Sequence, residues 1–277
     1  MATLRHRRRL GRELEMIRKG LGLSQRDVAA ELGWSQPTVG RIEAARTKDV
    51  EDAVRQLLDL YRVSDDDRER LLQLALGSPA AGWWTAYNDV FPSSYAALED
   101  GASGIQTWQD AVVPGLLQNE AYARALLTGG TARGAPRDSI ERRVQARMLR
   151  RTLLAREHPP HLWAVLDESV LRRQIGGPDV MRSQLEHLEQ IARQPHVDLR
   201  IMPFEAGAHP GLDGRFVILS FEDEDPDVPY IESAGGAVYL EAPGEVERIT
   251  VTWCCVRDAA LSVERSLDLL SRLVKEA

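Results

Sequence analysis

Cysteine is nearly absent from this chain of 277 residues: there are two, Cys254 and Cys255, side by side. Neighbouring residues have poor geometry for an ordinary structural disulfide, and two thiols are too few for a zinc site. The expectation is a reducing, cytoplasmic home, with no metal and no cofactor. Long apolar runs are also missing, since none approaches the ~18 residues a membrane helix needs. The basic start MATLRHRRRL has no apolar stretch behind it, so no signal peptide is expected. Lysine is scarce as well, with only Lys19, Lys48 and Lys275, which leaves arginine to carry the positive charge.

What is present is ordinary globular material, 43% hydrophobic and 28% charged, long enough for about two domains. The net charge of −7 hides an asymmetry. Residues 1–48 carry 11 Lys and Arg against 5 Asp and Glu, a net +6. The remainder carries 24 against 37, a net −13. That pattern suggests a small polyanion-binding module joined to an acidic body.

In the module, Leu10, Leu14 and Ile17 recur at helical spacing, and Gly20 and Gly22 stop that helix. Ser24 is placed to cap a second short helix, QRDVAAEL, which ends at Gly33, where the turn needs a left-handed residue. Ser35 is read as the cap of a third helix, QPTVGRIEA, with Pro37 in its first turn. Two short helices joined by a Gly-containing turn make a helix-turn-helix unit. Val28, Ala29, Leu32, Val39 and Ile42 fall inward, which turns Gln36, Pro37, Gly40 and Arg41 outward. KDVEDAVRQLLDLYRV and SDDDRERLLQLALG, the latter capped by Ser64, complete a five-helix domain over 1–76.

The stretch LGLSQRDVAAELGWSQPTVGRIEAAR resembles the DNA-binding domain of the phage-repressor and XRE family of regulators. The resemblance implies that the start of the second helix of the motif enters the major groove. It gives Gln36 the leading base-contacting position and Gln25 the glutamine that braces it and touches phosphate. Gln pairs bidentately with adenine, and Arg41 can do so with guanine. Pro37 and Gly40 share that face, while Thr38, Arg46 and Lys48 are placed for phosphates. Glu43 is read as structural, paired with a first-helix arginine such as Arg18. Where the family has a Gly after that Glu, this chain has Ala44 and Ala45.

Residues 77–104 read as an ordered connector, since a bare linker would not hold Trp83, Trp84, Tyr87, Phe91 and Tyr95. Residues 105–277 read as an α+β domain with a mixed or antiparallel sheet covered by helices. Strands are expected near Ile105–Ala111 and in HLWAVL, VDLRIMPF and GRFVILSFED, with a hairpin around Gly235 and Gly236. SIERRVQARMLRRTLLARE reads as a helix from Ser139. Its arginines could mark a nucleic-acid surface, but Ile140, Val144, Met148, Leu149, Leu153 and Leu154 favour an ordinary amphipathic helix.

From about Trp83 onward the blocks VVPGLLQNEAYARALL, IMPFEAGAHPGLDGRFVILSF and IESAGGAVYLE are similar to the C-terminal domain of WhiJ-like and Scr-type actinobacterial regulators. That resemblance implies an antitoxin-like transcriptional regulator working with a small protein encoded by an adjacent gene. The expected partners are thus double-stranded DNA, that small protein and a second copy in a homodimer, with no membrane. An enzyme is not expected: Glu168, His209 and Asp213 lack the spacing of a catalytic or metal motif. The competing reading is a one-component factor sensing a small molecule near Trp83, Trp84, Trp108 and His209.

Overall fold

The computed structural model describes residues 4–47, 50–76, 83–87, 89–90, 93–130, 137–222, 226–233, 236–240 and 242–277. The chain forms two compact units, one of residues 1–86 with 93–97 and the other of 87–92 with 98–277.

The first unit begins with five helices: α1 (Leu4–Gly20), α2 (Gln25–Leu32), α3 (Gln36–Glu43), α4 (Glu51–Tyr61) and α5 (Asp65–Leu76). Their apolar faces meet in one core that includes Leu10, Leu14, Val28, Val39, Ile42, Val54, Leu57, Leu58 and Leu71. α2 starts at a full capping box. Ser24 Oγ accepts from the Asp27 amide at 3.2 Å, and the Ser24 amide donates to Asp27 Oδ2 at 2.8 Å. The Ser24 hydroxyl and then the Ser24 amide hold the Asp27 carboxyl below its usual range. Gly33 closes the helix in the left-handed region at φ 67°. Ser64 caps α5 in the same way, through the Asp67 amide at 3.2 Å.

α1 approaches α3 by a device that helical periodicity does not reveal. A Cβ at Gly11 would lie 2.1 Å from the Glu43 carbonyl oxygen, so only glycine lets the two backbones pack this closely. The glycine costs about 1 kcal/mol of helix propensity. Ala45, at φ 58°, takes the left-handed conformation that glycine would adopt at less cost.

After a 3₁₀ turn at Trp83–Tyr87 comes α6 (Ser93–Asp100), a helix the sequence reading left inside the connector. The rest is α+β: β1 (Gly104–Gln109), α7 (Glu120–Gly130), α8 (Arg137–Arg151), β2 (His161–Asp167), α9 (Glu168–Arg172), α10 (Pro178–Ile191), β3 (Val197–Met202), β4 (Phe216–Ser220), β5 (Val228–Ser233), β6 (Gly236–Tyr239), α11 (Pro243–Ala259) and α12 (Val263–Glu276). The six strands make one mixed sheet in the order β3-β2-β1-β4-β5-β6. β1, β2 and β3 are parallel, and β4, β5 and β6 run antiparallel beyond β1. The expected hairpin is the β5–β6 pair, though Gly235 lies outside the described residues.

One sheet face, with Trp108, Val165, Met202, Phe216 and Ile218, packs against Trp253 and Val256 of α11. α12 is capped by Ser262, whose Oγ accepts from the Arg265 amide at 3.3 Å. It reaches the β3 edge through Ser266 Oγ, which accepts from the Ile201 amide at 3.0 Å. Fully buried Gln184 of α10 donates to Leu117 O and accepts from the Asn119 amide, each at 2.8 Å, and so fixes the turn before α7.

α8 keeps most of the amphipathic pattern: Val144 is buried, Ile140 and Met148 are half-buried, and Leu153 and Leu154 are buried in the 3₁₀ turn that follows. Leu149, counted as core, is 37% exposed. Arg143, Arg147 and Arg150 instead share a half-buried face flanked by the fully buried Val144 and Ala146.

Candidate nucleic-acid interface

The geometry of the helix-turn-helix is set by a buried ion pair. Arg18 of α1 forks onto Glu43 at the end of α3, with Nε to Oε1 at 2.7 Å and Nη2 to Oε2 at 3.0 Å. Its remaining Nη1 donates to Leu23 O at 2.8 Å, just before the α2 cap. The two side chains are 7% and 4% exposed, so the bidentate pair works in a low-dielectric setting. Glu43 strengthens the hold of the Arg18 guanidinium on its proton. Nearby, burial and then the Glu43 charge push the Tyr61 hydroxyl up to about 12. The structural pairing expected of Glu43 is therefore present.

Gln25 joins the same carboxylate. Its Nε2 donates to Glu43 Oε2 at 2.8 Å, which makes it part of this clamp. The Gln25 carboxamide also lies over Gly40, where a Cβ would stand 3.4 Å from Oε1. Gly40 is consequently half-buried beneath Gln25, and lets the start of α2 sit beside the middle of α3.

The outward face of α3 presents Gln36, Pro37 and Arg41, all exposed, with Thr38 half-buried beside them. Ser35 stands at the N-cap but not through its hydroxyl: its carbonyl accepts from the Thr38 amide at 2.9 Å, while its Oγ makes no cap bond and lies 2.8 Å from Thr38 Oγ1. Thr38 Oγ1 also accepts from Arg41 Nη2 at 3.4 Å, which leans that guanidinium along the helix. α3 thus starts without a side-chain cap or an acidic residue in its first turn, while α2 has the Asp27 carboxylate there. Arg46 is exposed beyond α3, and Lys48 lies outside the described residues. The sequence reading missed Arg26, exposed in the first turn of α2. A basic residue two positions after a capping serine was the available signal.

Of the side chains considered for catalysis or sensing, Glu168, His209, Asp213 and Trp108 lie in the second unit, and Trp83 and Trp84 in the first. The Glu168 carboxylate accepts from Arg172 Nε at 2.7 Å and from the Phe204 amide at 3.1 Å. His209 stands edge-on to Trp108, with ring centroids 5.2 Å apart, and Trp108 Nε1 donates to Gly211 O at 2.8 Å. Asp213 is exposed. Trp83 and Trp84 pair edge-to-face with each other at 6.0 Å. Among the described residues no group of three or more His, Cys, Asp or Glu could hold a metal ion, and no helix is long and apolar enough to cross a membrane.

Comparison with known proteins agrees with this division. Residues 9–71 match a family described as a helix-turn-helix domain, which marks the chain as a DNA-binding regulator. No curated protein and no solved structure matches the chain. Residues 92–272, about two thirds of the length, match a domain of unknown function, DUF5753. The chain belongs to the DUF5753 family, with a helix-turn-helix domain ahead of the family's own domain.

Proposed function

We propose that this protein is a sequence-specific transcriptional regulator of the XRE type, and that the start of α3 reads duplex DNA in the major groove. The observation that carries the reading is the exposed face of α3, held by the Arg18–Glu43–Gln25 clamp, on which Arg41 has no carboxylate partner among the described residues. Gln36 and Arg41 are the base readers, for adenine and guanine. Pro37 and Gly40 set the close approach of that face. Thr38, Arg46 and Lys48 hold phosphates, together with Arg26. Gln25 supports the readers through Glu43 and touches phosphate from its place at the start of α2.

In this reading residues 1–76 are the DNA-binding domain, 77–104 the connector and 105–277 the regulatory domain. One module of this size buries too little surface for tight specific binding, so the active species is a homodimer on a two-fold or repeated site. With its net charge of −13, the acidic remainder repels phosphate and is suited to receiving a signal. The resemblance to WhiJ-like and Scr-type regulators supplies the nature of that signal: a small, adjacently encoded protein, in an antitoxin-like pair acting in the cytoplasm.

The test is a gel shift with genomic fragments over a range of salt. A preferred fragment should emerge, with affinity falling by a log–log slope of about −0.9 per phosphate neutralised. Binding with no preferred site and no salt slope would refute the DNA reading. Light scattering that gave a monomer on DNA would remove the dimer. Failure of the adjacent small protein to copurify on co-expression would remove the partner.

A further inference from the structure

The half-buried arginine face of α8 has no part in DNA reading and is unlike the other ion pairs of its unit. Several other arginines of the second unit meet carboxylates: Arg124 meets Glu120 and Glu141, Arg142 meets Asp89, Arg193 meets Glu189, and Arg200 meets Asp198. On α8, Arg143, Arg147 and Arg150 stand at i, i+4 and i+7, within reach of one another. Only Arg150 is forked onto a carboxylate, that of Glu99, with Nη2 to Oε1 at 2.6 Å. Arg147 Nη1 donates to a neutral acceptor, Gln118 Oε1, at 2.7 Å. Gln118 is itself locked by its Nε2 bond to Val113 O at 2.7 Å. Arg143 has no ion pair among the described residues.

Space at this face is kept by a residue without a side chain. A Cβ at Gly115 would lie 3.3 Å from Arg150 Nη1, so glycine lets the guanidinium rest against the turn before α7. Burial, reinforced by the charges of Arg150 and Arg143, pushes the Arg147 guanidinium down to about 10, with Glu232 of β5 opposing. An apolar side chain would be cheaper than Arg147 on an inward face if packing were its only task.

We propose that Arg143, Arg147 and Arg150 form a binding site for a small oxyanion, the carboxylate or phosphate group of a metabolite, in the regulatory half of the chain. Guanidinium forks match the geometry of these groups and stay charged at every physiological pH. The inward, half-buried setting suits a small anion and denies the surface to the backbone of a duplex. The site is independent of the DNA reading and stands whether or not that reading does.

The full chain is titrated with inorganic phosphate and with succinate at constant ionic strength, against chloride, and read by melting temperature and calorimetry. At least one anion should give a saturable rise in melting temperature and a measurable heat. Arg147→Gln and Arg143→Gln should weaken that midpoint about 10- to 100-fold, the loss expected for a charged hydrogen bond. Arg124→Gln, on the exposed Glu120–Glu141 pair, should leave it unchanged. Because Arg143 repels its neighbours, Arg143→Gln without anion should melt no lower than the parent. The proposal is overturned if neither anion gives a saturable response. It is overturned equally if the response is unaltered in both α8 variants, which would mark a general anion effect. A fall in the anion-free melting temperature of Arg143→Gln would make the cluster structural and overturn it too.

Discussion

On the second unit, Arg124, Arg142, Arg156, Arg172, Arg193, Arg200 and Arg257 each lie against a carboxylate. On the helix-turn-helix, Arg26, Arg41 and Arg46 have no ion pair among the described residues, although five acidic residues lie within the first 48. One side chain therefore does opposite work in the two regions. Paired at the surface of an acidic body, arginine stabilises by at most about 1 kcal/mol and advertises little charge. Arg41, on α3, reaches only the Thr38 hydroxyl, and in the proposed reading keeps its field for a polyanion. Arg18 is a third case, its charge consumed inside by Glu43.

Substitutions should separate these cases, and the largest effect belongs to Arg18. Arg18→Ala strands the Glu43 carboxylate in a buried setting and frees Gln25. The first unit should lose about 3–5 kcal/mol, read as lost amide protection in α1 and α3 by hydrogen exchange. A loss below 1 kcal/mol would mean that the clamp does not organise the motif.

Acid should distinguish the two regions next. Burial, helped by the nearby Arg151 charge, lowers His187 on α10 to about 4, whereas an unfolded histidine titrates near 6.5. Above pH 6.5 both states are neutral and the group has no effect. Between 6.5 and 4 the unfolded chain binds more protons, so stability falls as pH falls, by up to about 3 kcal/mol, and levels off below 4. Denaturant unfolding of the second unit across that range should show the slope, and His187→Gln should remove it.

Gln36→Ala and Arg41→Ala should each cost roughly 1–3 kcal/mol of specific binding and relax the preference at one base position. Stability should move by no more than about 0.5 kcal/mol, since both side chains are exposed. Arg124→Ala should do the reverse, with a small stability change and no change on DNA. The comparison breaks if Arg41→Ala unfolds the protein while leaving DNA binding intact.

The smallest effect concerns Arg62, which ends α4 in the left-handed region at φ 52°. Arg62→Gly should stabilise the first unit by about 0.5–1 kcal/mol, as a higher melting temperature, because an exposed residue is relieved of strain.

Most of the first unit was legible because caps, turns and apolar spacing are local. Ser24, Gly33 and Ser64 act where the sequence placed them. The Ser35 hydroxyl does not, because Pro37 leaves its helix one amide fewer and Thr38 competes for it. Gly11 was invisible, since its role depends on a carbonyl 32 positions away. The Arg18–Glu43 pair was readable through the family resemblance, while the bond from Gln25 to Glu43 depends on how α2 and α3 cross. In the second unit the strands were legible from apolar runs. α6 was hidden in a stretch of Gly, Ala, Ser and Pro, and the half-buried arginines of α8 were missed because spacing assumes that arginine points to water.

The placement of β1 gives the chain a timetable. Gly104 pairs with His161 on one side and with Ser220 on the other, so this central strand waits for about 115 further residues before it is flanked. At ribosomal speeds of about 5–20 residues per second, that is roughly 6–20 s with Ile105 and Trp108 unsheltered. The five N-terminal helices depend only on neighbours already made, and helical contacts of short range form in microseconds to milliseconds. In every newly made copy, then, the portion that faces DNA is finished first, while the sheet behind it is still waiting for its fourth strand.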